Sequence, residues 1–284
     1  MKVLVRAPAA QETTVKKREA EGFAGTILDH YAGHKRKLPW REDITPYRIL
    51  VSEFMLQQTQ VERVLVKFPL FLQRFPDFSA LAGAALKDVL ASWQGLGYNR
   101  RAVNLWKTAM SVVKEHRGQL PAGADELVRF PGIGFSTAGA IVAFAFDKPV
   151  VFIETNIRRV FIHFFFQDRT GVKDREILPL VEATLDRENP RQWYYALMDY
   201  GAMLGRSLPN PNRRSAHYAR QAPFEGSDRQ VRGGVIRALL GKGTLTKKTI
   251  SSTLGVEAGR MARILSGLEK EGLIARNGNG YQLP

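Results

Sequence analysis

The sequence predicts an all-α domain followed by a small α+β unit. Three features carry that prediction: helix-boundary residues that recur through the first 220 residues, few strand signals, and a terminal Asn-Gly repeat after three further helical stretches. At 284 residues the chain exceeds one typical domain, so two or three compact units with a substantial core are expected.

Residues 1-21 combine Pro, Gln, Thr, Lys and Glu without apolar periodicity, which predicts a mobile basic tail. From Phe23 the pattern changes, and a helical domain over 22-221 is expected. Thr45 and Pro46 occupy N-cap and first-turn roles for a long apolar-periodic helix, and Gly118, Pro121 and the Gly132/Gly134 pair break later segments. The best strand signal is Pro149-Val-Val-Phe-Ile153. Residues 206–214 hold two prolines and three arginines, which suits an irregular basic loop with Arg213 and Arg214 facing DNA. Over 226-284, helices are expected near residues 229–240, 247–253 and 257–271, then a hairpin whose tip is the Asn-Gly repeat before Tyr281. That order resembles a winged-helix domain, in which 257–271 takes the recognition position with Arg260 and Arg263 on one face. A module that binds protein instead of DNA is the alternative.

The net charge of +15 points to a polyanionic partner, and double-stranded DNA is the first choice. No apolar stretch reaches the ~18 residues of a membrane span, and Met1-Lys-Val-Leu-Val-Arg6 has no signal-peptide core. A cytoplasmic, nucleoid-associated monomer with no membrane partner is expected. The absence of cysteine excludes disulfides, thiolate nucleophiles, cysteine-ligated zinc and conventional iron–sulfur clusters. Of five histidines only His30 and His34 share a helical face, and without a third ligand nearby neither a metal nor a cofactor is predicted.

Three constellations carry chemistry. In residues 127–141, Pro131-Gly-Ile-Gly134 forms a tight turn between two helical stretches. Gly132 and Gly134 let the backbone approach a phosphate, and the helix that follows offers unpaired N–H groups at its positive end. In residues 45–61, Glu53 lies deep inside an apolar helix, flanked by Ile49 and Leu56. A partly buried carboxyl has its pKa raised by desolvation and can act as a general acid, while an exposed or paired glutamate grazing the core is the plainer reading. In residues 151–160 an apolar run ends at Glu154, just before a helix that starts near Thr155 or Asn156. Spacing alone favours a helix cap there, while a second carboxylate would complete an acid and anion pair for breaking a glycosidic bond.

Leu38-Pro-Trp-Arg41, the Ser52-Glu-Phe-Met-Leu-Gln-Gln-Thr-Gln60 run, Gln94-Gly-Leu-Gly-Tyr-Asn-Arg-Arg-Ala102, the hairpin and Asp199-Tyr-Gly-Ala-Met203 resemble the MutY adenine DNA glycosylases, in family order, over residues 23 to 220. The resemblance implies a two-lobed helix-hairpin-helix fold with the active site in the cleft between lobes. It implies that Glu53 protonates adenine N7 and that Asn156 is an active-site amide beside the cation-stabilising carboxylate. The carboxylate position is Glu154 here, where the family has aspartate. Gln58 and Thr59 match residues that approach the opposite base, and Tyr98 matches a side chain that wedges into the base stack. Ser136, counted with the DNA-facing hairpin, stands where bifunctional relatives place a nucleophilic lysine, so a monofunctional glycosylase is implied. The four cluster cysteines of the family are missing, and residues 204–221 are expected to fold through Pro, Tyr and Arg contacts instead. The family's C-terminal 8-oxoguanine-recognition domain is replaced by the winged-helix-like unit. Adenine opposite 8-oxoguanine or guanine is the expected substrate. The alternatives are thymine or uracil opposite guanine, or a non-catalytic DNA-binding protein.

Overall fold

The computed structural model describes residues 17–220 and 222–284, with side chains from residue 22 onward; most of the expected tail therefore lies outside the described residues. In chain order the helices are α1 (Lys17–His34), α2 (Pro39–Glu42), α3 (Pro46–Leu56), α4 (Val61–Arg74), α5 (Phe78–Ala82), α6 (Leu86–Ser92), α7 (Arg100–Glu115), α8 (Ala124–Leu127), α9 (Phe135–Phe146), α10 (Thr155–Phe165), α11 (Asp174–Thr184) and α12 (Pro190–Ser207). A short 3-10 helix (Pro211–Arg214) precedes α13 (Asp228–Lys242), β1 (Leu245–Thr246), α14 (Lys247–Leu254), α15 (Ala258–Lys270), β2 (Ala275–Asn277) and β3 (Gly280–Gln282).

The chain forms two compact units. One comprises residues 17–36 with 149–218, and the other 37–148 with 219–284. In the first, α1 and α10 pack on α12. Phe23 of α1 meets the rings of Phe161, Phe164, Phe165 and Trp193 at centroid distances of 5.0–5.9 Å, an aromatic core that explains why apolar periodicity begins there. Lys17 to Glu21, assigned to the tail by sequence, already belong to α1. Residues 149–153 form no strand: this short run has no partner strand, and the Tyr194 hydroxyl donates to the Val150 carbonyl at 2.6 Å instead.

In the second unit, α3 packs against α4, α7 and α9. Its start is as expected: the Thr45 side chain accepts from the Arg48 N–H, and Pro46 sits in the first turn. Such a cap is worth about 1 kcal/mol. Ile49, Leu50, Val51, Phe54 and Met55 make α3 apolar on most of its circumference, and all are buried. The small residues of α9, Ala138, Gly139 and Ala140, are buried as well and allow close helix approach.

The C-terminal module has the helix and strand order of a winged helix. Ser227 caps α13, Thr246 caps α14, and Val235, Ile236, Leu239, Ile250, Met261, Leu265 and Leu268 form its core. The sheet is antiparallel in the order β1-β3-β2. Asn277 faces Gly280 across the hairpin, where the Asn-Gly repeat predicted a turn. The two-residue β1 carries no sequence signal of its own; it pairs with β3, where Gly280 leaves room for the Thr244 methyl, 2.7 Å from where a Cβ would stand.

Residues 206–214 are more ordered than a loop. The last turn of α12 runs to Ser207 and Pro211–Arg214 is a 3-10 helix. Asparagine and arginine side chains hold this segment, and just beyond it the Tyr218 N–H donates to the Ser215 carbonyl at 3.2 Å. Asn212 Nδ2 donates to the Thr155 carbonyl at 2.9 Å, and Arg214 donates to the Phe166 and Gln167 carbonyls at the end of α10. Pro211 is buried, while Tyr218 is exposed.

Candidate active site and nucleic-acid interface

Glu53 lies in the last turn of α3, half-buried between the fully buried Ser52 and Phe54. The helix end beside it is built around one cation. Arg101, near the start of α7, is 7% exposed. Its Nη1 lies 2.8, 2.9 and 2.5 Å from the carbonyl oxygens of Phe54, Met55 and Gln57. Its Nη2 lies 2.9 Å from Thr59 Oγ1 and 3.2 and 3.0 Å from the Leu96 and Gly97 carbonyls. A guanidinium at the negative end of a helix satisfies carbonyls that have no partner within the helix. Burial pulls the Arg101 pKa down to about 10, which leaves it charged at neutral pH. No role for Arg101 was legible in the sequence. The available signal was helical spacing: Arg101 stands four and eight positions before Leu105 and Ala109, on the buried face of α7.

The two loops that Arg101 ties together each contain a non-glycine residue in the left-handed region, Gln58 at φ 53° and Tyr98 at φ 47°. Such backbone conformations are sparsely populated and concentrate at functional sites. Both residues are among those expected to approach DNA. Thr59, the third, is held by Arg101. Gln57 completes the link to the hairpin: its Nε2 donates to the Gly132 carbonyl at 3.2 Å and lies 3.4 Å from Thr137 Oγ1.

The two hairpin glycines serve different ends. Gly132 has φ 81°, and a Cβ there would stand 2.6 Å from Asn104 Nδ2 and 3.1 Å from the Phe54 ring, so the interior demands glycine. Gly134 is exposed and opens α9 without a side-chain cap, and no atom lies within 4 Å of where its Cβ would be. The first N–H groups of α9 therefore point past an unobstructed backbone, a geometry suited to an anion. Ser136 is exposed in the first turn of α9, and Phe135 beside it is 81% exposed.

The other carboxylate belongs to the first unit. Glu154 caps α10: its Oε1 accepts from the Asn156 and Ile157 N–H groups at 2.6 and 2.8 Å, and Asn156 Nδ2 lies 3.2 Å from its Oε2. Burial pushes the Glu154 carboxyl above the usual carboxylate range, and the two N–H groups with Arg159 and Arg158 pull against that rise. Arg159 continues the chain, donating to Asn156 Oδ1 at 2.9 Å, to the Gly201 carbonyl at 2.6 Å and to Asn210 Oδ1 at 3.1 Å.

This network explains the run at 199–203. A Cβ on Gly201 would lie 2.5 Å from the Asn156 carbonyl oxygen and 2.7 Å from its Cβ, and one on Gly205 would lie 2.6 Å from Arg159 Nη1. Glycines one turn apart on α12 thus form the groove that seats Asn156 and Arg159. Asp199 anchors α12 through Arg36, whose Nε donates to Oδ1 at 2.6 Å. Gly201→Ala is expected to lower stability by about 1–3 kcal/mol, as overpacking does, and to slow any reaction that needs Asn156 in place. Melting temperature and excision rate measured together test this; an unchanged rate would separate the groove from the site.

Of the arginines assigned to DNA, Arg213 and Arg263 are exposed. Arg214 is engaged at the end of α10, and Arg260 pairs with Asp228 at 2.7 Å and donates to the Gly226 carbonyl at 2.7 Å. Glu257 caps α15 and places a carboxylate at the very end of the helix expected to read bases.

Among the described residues, no group of three or more His, Cys, Asp or Glu side chains is arranged to hold a metal ion, and no helix is long and apolar enough to cross a membrane.

Residues 51–182 match the family model of the HhH-GPD superfamily base excision DNA repair proteins. An adenine DNA glycosylase of Mycobacterium tuberculosis is 32% identical over 280 residues, covering 91% of this chain and 92% of that protein. The adenine DNA glycosylase of Buchnera aphidicola subsp. Schizaphis graminum is 34% identical over 187 residues, and the match spans 64% of this chain but only 54% of the relative. A thermostable thymine-DNA glycosylase shares the fold, with a TM-score of 0.59 at 23% identity over 66% of this chain and 88% of that one.

Proposed function

The chain belongs to the adenine DNA glycosylase family of the HhH-GPD superfamily, and on that premise we propose that it hydrolyses the N-glycosidic bond of a mispaired base in duplex DNA. Adenine opposite 8-oxoguanine or guanine is the substrate, and an intact abasic site is the product. The observation that carries the reading is the linkage of the end of α3, the helix that carries Glu53, to the hairpin. Gln57, the C-cap residue of α3, donates to the Gly132 carbonyl and lies 3.4 Å from Thr137 Oγ1, which ties the segment bearing the acid to the hairpin backbone. Chromosomal DNA in the nucleoid is the partner, and the +15 charge favours it.

In this mechanism the protonated Glu53 gives its proton to N7 of the flipped base. The C1′–N9 bond then breaks and the neutral base leaves. The deoxyribose carries an oxocarbenium-like charge, which the Glu154 carboxylate, held in line by Asn156 and Arg159, stabilises. Water adds at C1′, and its surplus proton returns to Glu53, which restores the starting enzyme. Arg101 acts through position alone, fixing the end of α3.

Labelled duplexes holding A:8-oxoguanine, A:G, T:G and U:G, treated with alkali after incubation, test the base. Release of adenine from the first two is expected, and preferential release of thymine or uracil would overturn the choice. With Ser136 in the first turn of α9 where a lyase needs an amine, borohydride is expected to trap no covalent adduct. Efficient trapping with strand cleavage matching base release would show a bifunctional enzyme.

A further inference from the structure

Arg229 of the C-terminal module reaches the loop at residues 95–99. Arg229, in the first turn of α13, donates from Nη1 to the Tyr98 hydroxyl at 2.8 Å, and its Cζ lies 5.8 Å from the Tyr98 ring centre. Its Nη2 donates to the Ala222 carbonyl at 2.5 Å, and its Cζ is 6.0 Å from the ring of Phe224, which is 60% exposed. Arg101 also contacts Tyr98, with Cζ 5.5 Å from that ring and 5.5 Å from the ring of buried Trp93. Guanidinium and aromatic groups therefore alternate from Trp93 through Arg101, Tyr98 and Arg229 to Phe224. Arg260 braces the carrier of this contact, because Asp228 and Gly226, which it binds, flank the N-terminus of α13. The face of α15 that sequence assigned to DNA is thus partly engaged in holding Arg229 in place.

We propose that Arg229 is a positioning residue for mismatch discrimination, through which the C-terminal module fixes Tyr98 and so sets how that loop enters duplex DNA. The proposal rests on the reading of Tyr98 as the side chain that enters the base stack. A guanidinium that bonds the hydroxyl and lies within 6 Å of the ring centre restricts the ring's orientation, and the left-handed backbone at Tyr98 removes much of the remaining freedom. A module tied on in this way contributes to specificity without reading a base itself.

The test uses the full chain with Arg229→Met, Arg229→Lys, Tyr98→Ala and the Arg229→Met/Tyr98→Ala double variant. Three quantities are measured: fluorescence of 2-aminopurine placed beside an A:G mismatch, the ratio of affinities for mismatched and matched duplex, and the salt slope of binding. Arg229→Met is expected to lower the fluorescence rise and to reduce the affinity ratio by about tenfold, the size of one lost hydrogen bond with its cation–π contact. Arg229→Lys, which keeps a cation and a donor, should recover part of the ratio. In the Tyr98→Ala background Arg229→Met should add nothing to either. Additive losses, with the slope flattened by about 0.9 in both backgrounds, would make Arg229 a phosphate contact and overturn the proposal. An unchanged ratio in Arg229→Met would overturn it as well. If Tyr98→Ala alone leaves fluorescence and ratio intact, the reading of Tyr98 fails first, and the role of Arg229 fails with it.

Discussion

Glu53→Gln is expected to lower single-turnover excision by at least ~10²-fold while duplex binding persists. Glutamine keeps the volume of the side chain and the fit between buried Ser52 and Phe54, so α3 should hold its place. The links from Gln57 to the hairpin and from Arg101 to the helix end involve other residues and remain. What is lost is a proton that can be given to the leaving base. Excision and filter binding measured on the same preparation check this. A variant that cuts as fast as the native protein would leave Glu53 as the grazing core residue that its spacing also allows.

The second large effect is expected at Glu154. Glu154→Gln should cost about 2.7–4 kcal/mol of transition-state stabilisation, the amount typical of a preorganised electrostatic group. Its stability should change little, because two contributions oppose each other. Loss of an anionic cap that accepts two N–H bonds costs about 1 kcal/mol. Removal of a partly desolvated charge works the other way. The sign follows from the raised pKa: the native fold holds this proton more tightly than the unfolded chain does. The associated stability is therefore fully present below the ordinary glutamate range and declines as pH rises through the raised value. Melting profiles across that window should be flatter for Glu154→Gln, while excision by the native protein should fall as pH drops through the same window and the carboxylate is neutralised. Glu154→Asp should keep measurable activity on the same base, reduced because the anion retreats by over ~1 Å, a shift that can cost ~10²-fold. An active but slightly less stable Glu154→Gln would identify a helix cap and nothing more.

How much was legible in the sequence depended on distance along the chain. Thr45 and Pro46 marked the start of α3, Glu257 stood just ahead of α15, and the Asn-Gly repeat marked the β2–β3 hairpin, because caps and turns are decided by partners within four residues. The same locality misled at residues 149–153, where β-prone residues had no partner strand, and at 206–214, where two prolines suggested a loop that distant carbonyls organise into a 3-10 turn.

The sequence by itself determined a helical protein with a basic surface, a Gly-rich turn opening a helix, and two carboxylates set at helix positions where charge has consequences. Glu154 keeps local partners, the Asn156 and Ile157 N–H groups, and only the tertiary structure decided what surrounds the two carboxylates and the loops beside them. Arg101 gathers carbonyls from residues 54–57 and 96–97, Gly201 gives way to Asn156 across 45 positions, and Arg229 bonds Tyr98 across 131. A guanidinium looks alike in sequence whether it faces DNA or a buried helix end. Its partner is chosen by which unsatisfied carbonyl or hydroxyl the folded chain brings within hydrogen-bond reach, and burial then makes leaving that group unpaired too costly for another arrangement to compete.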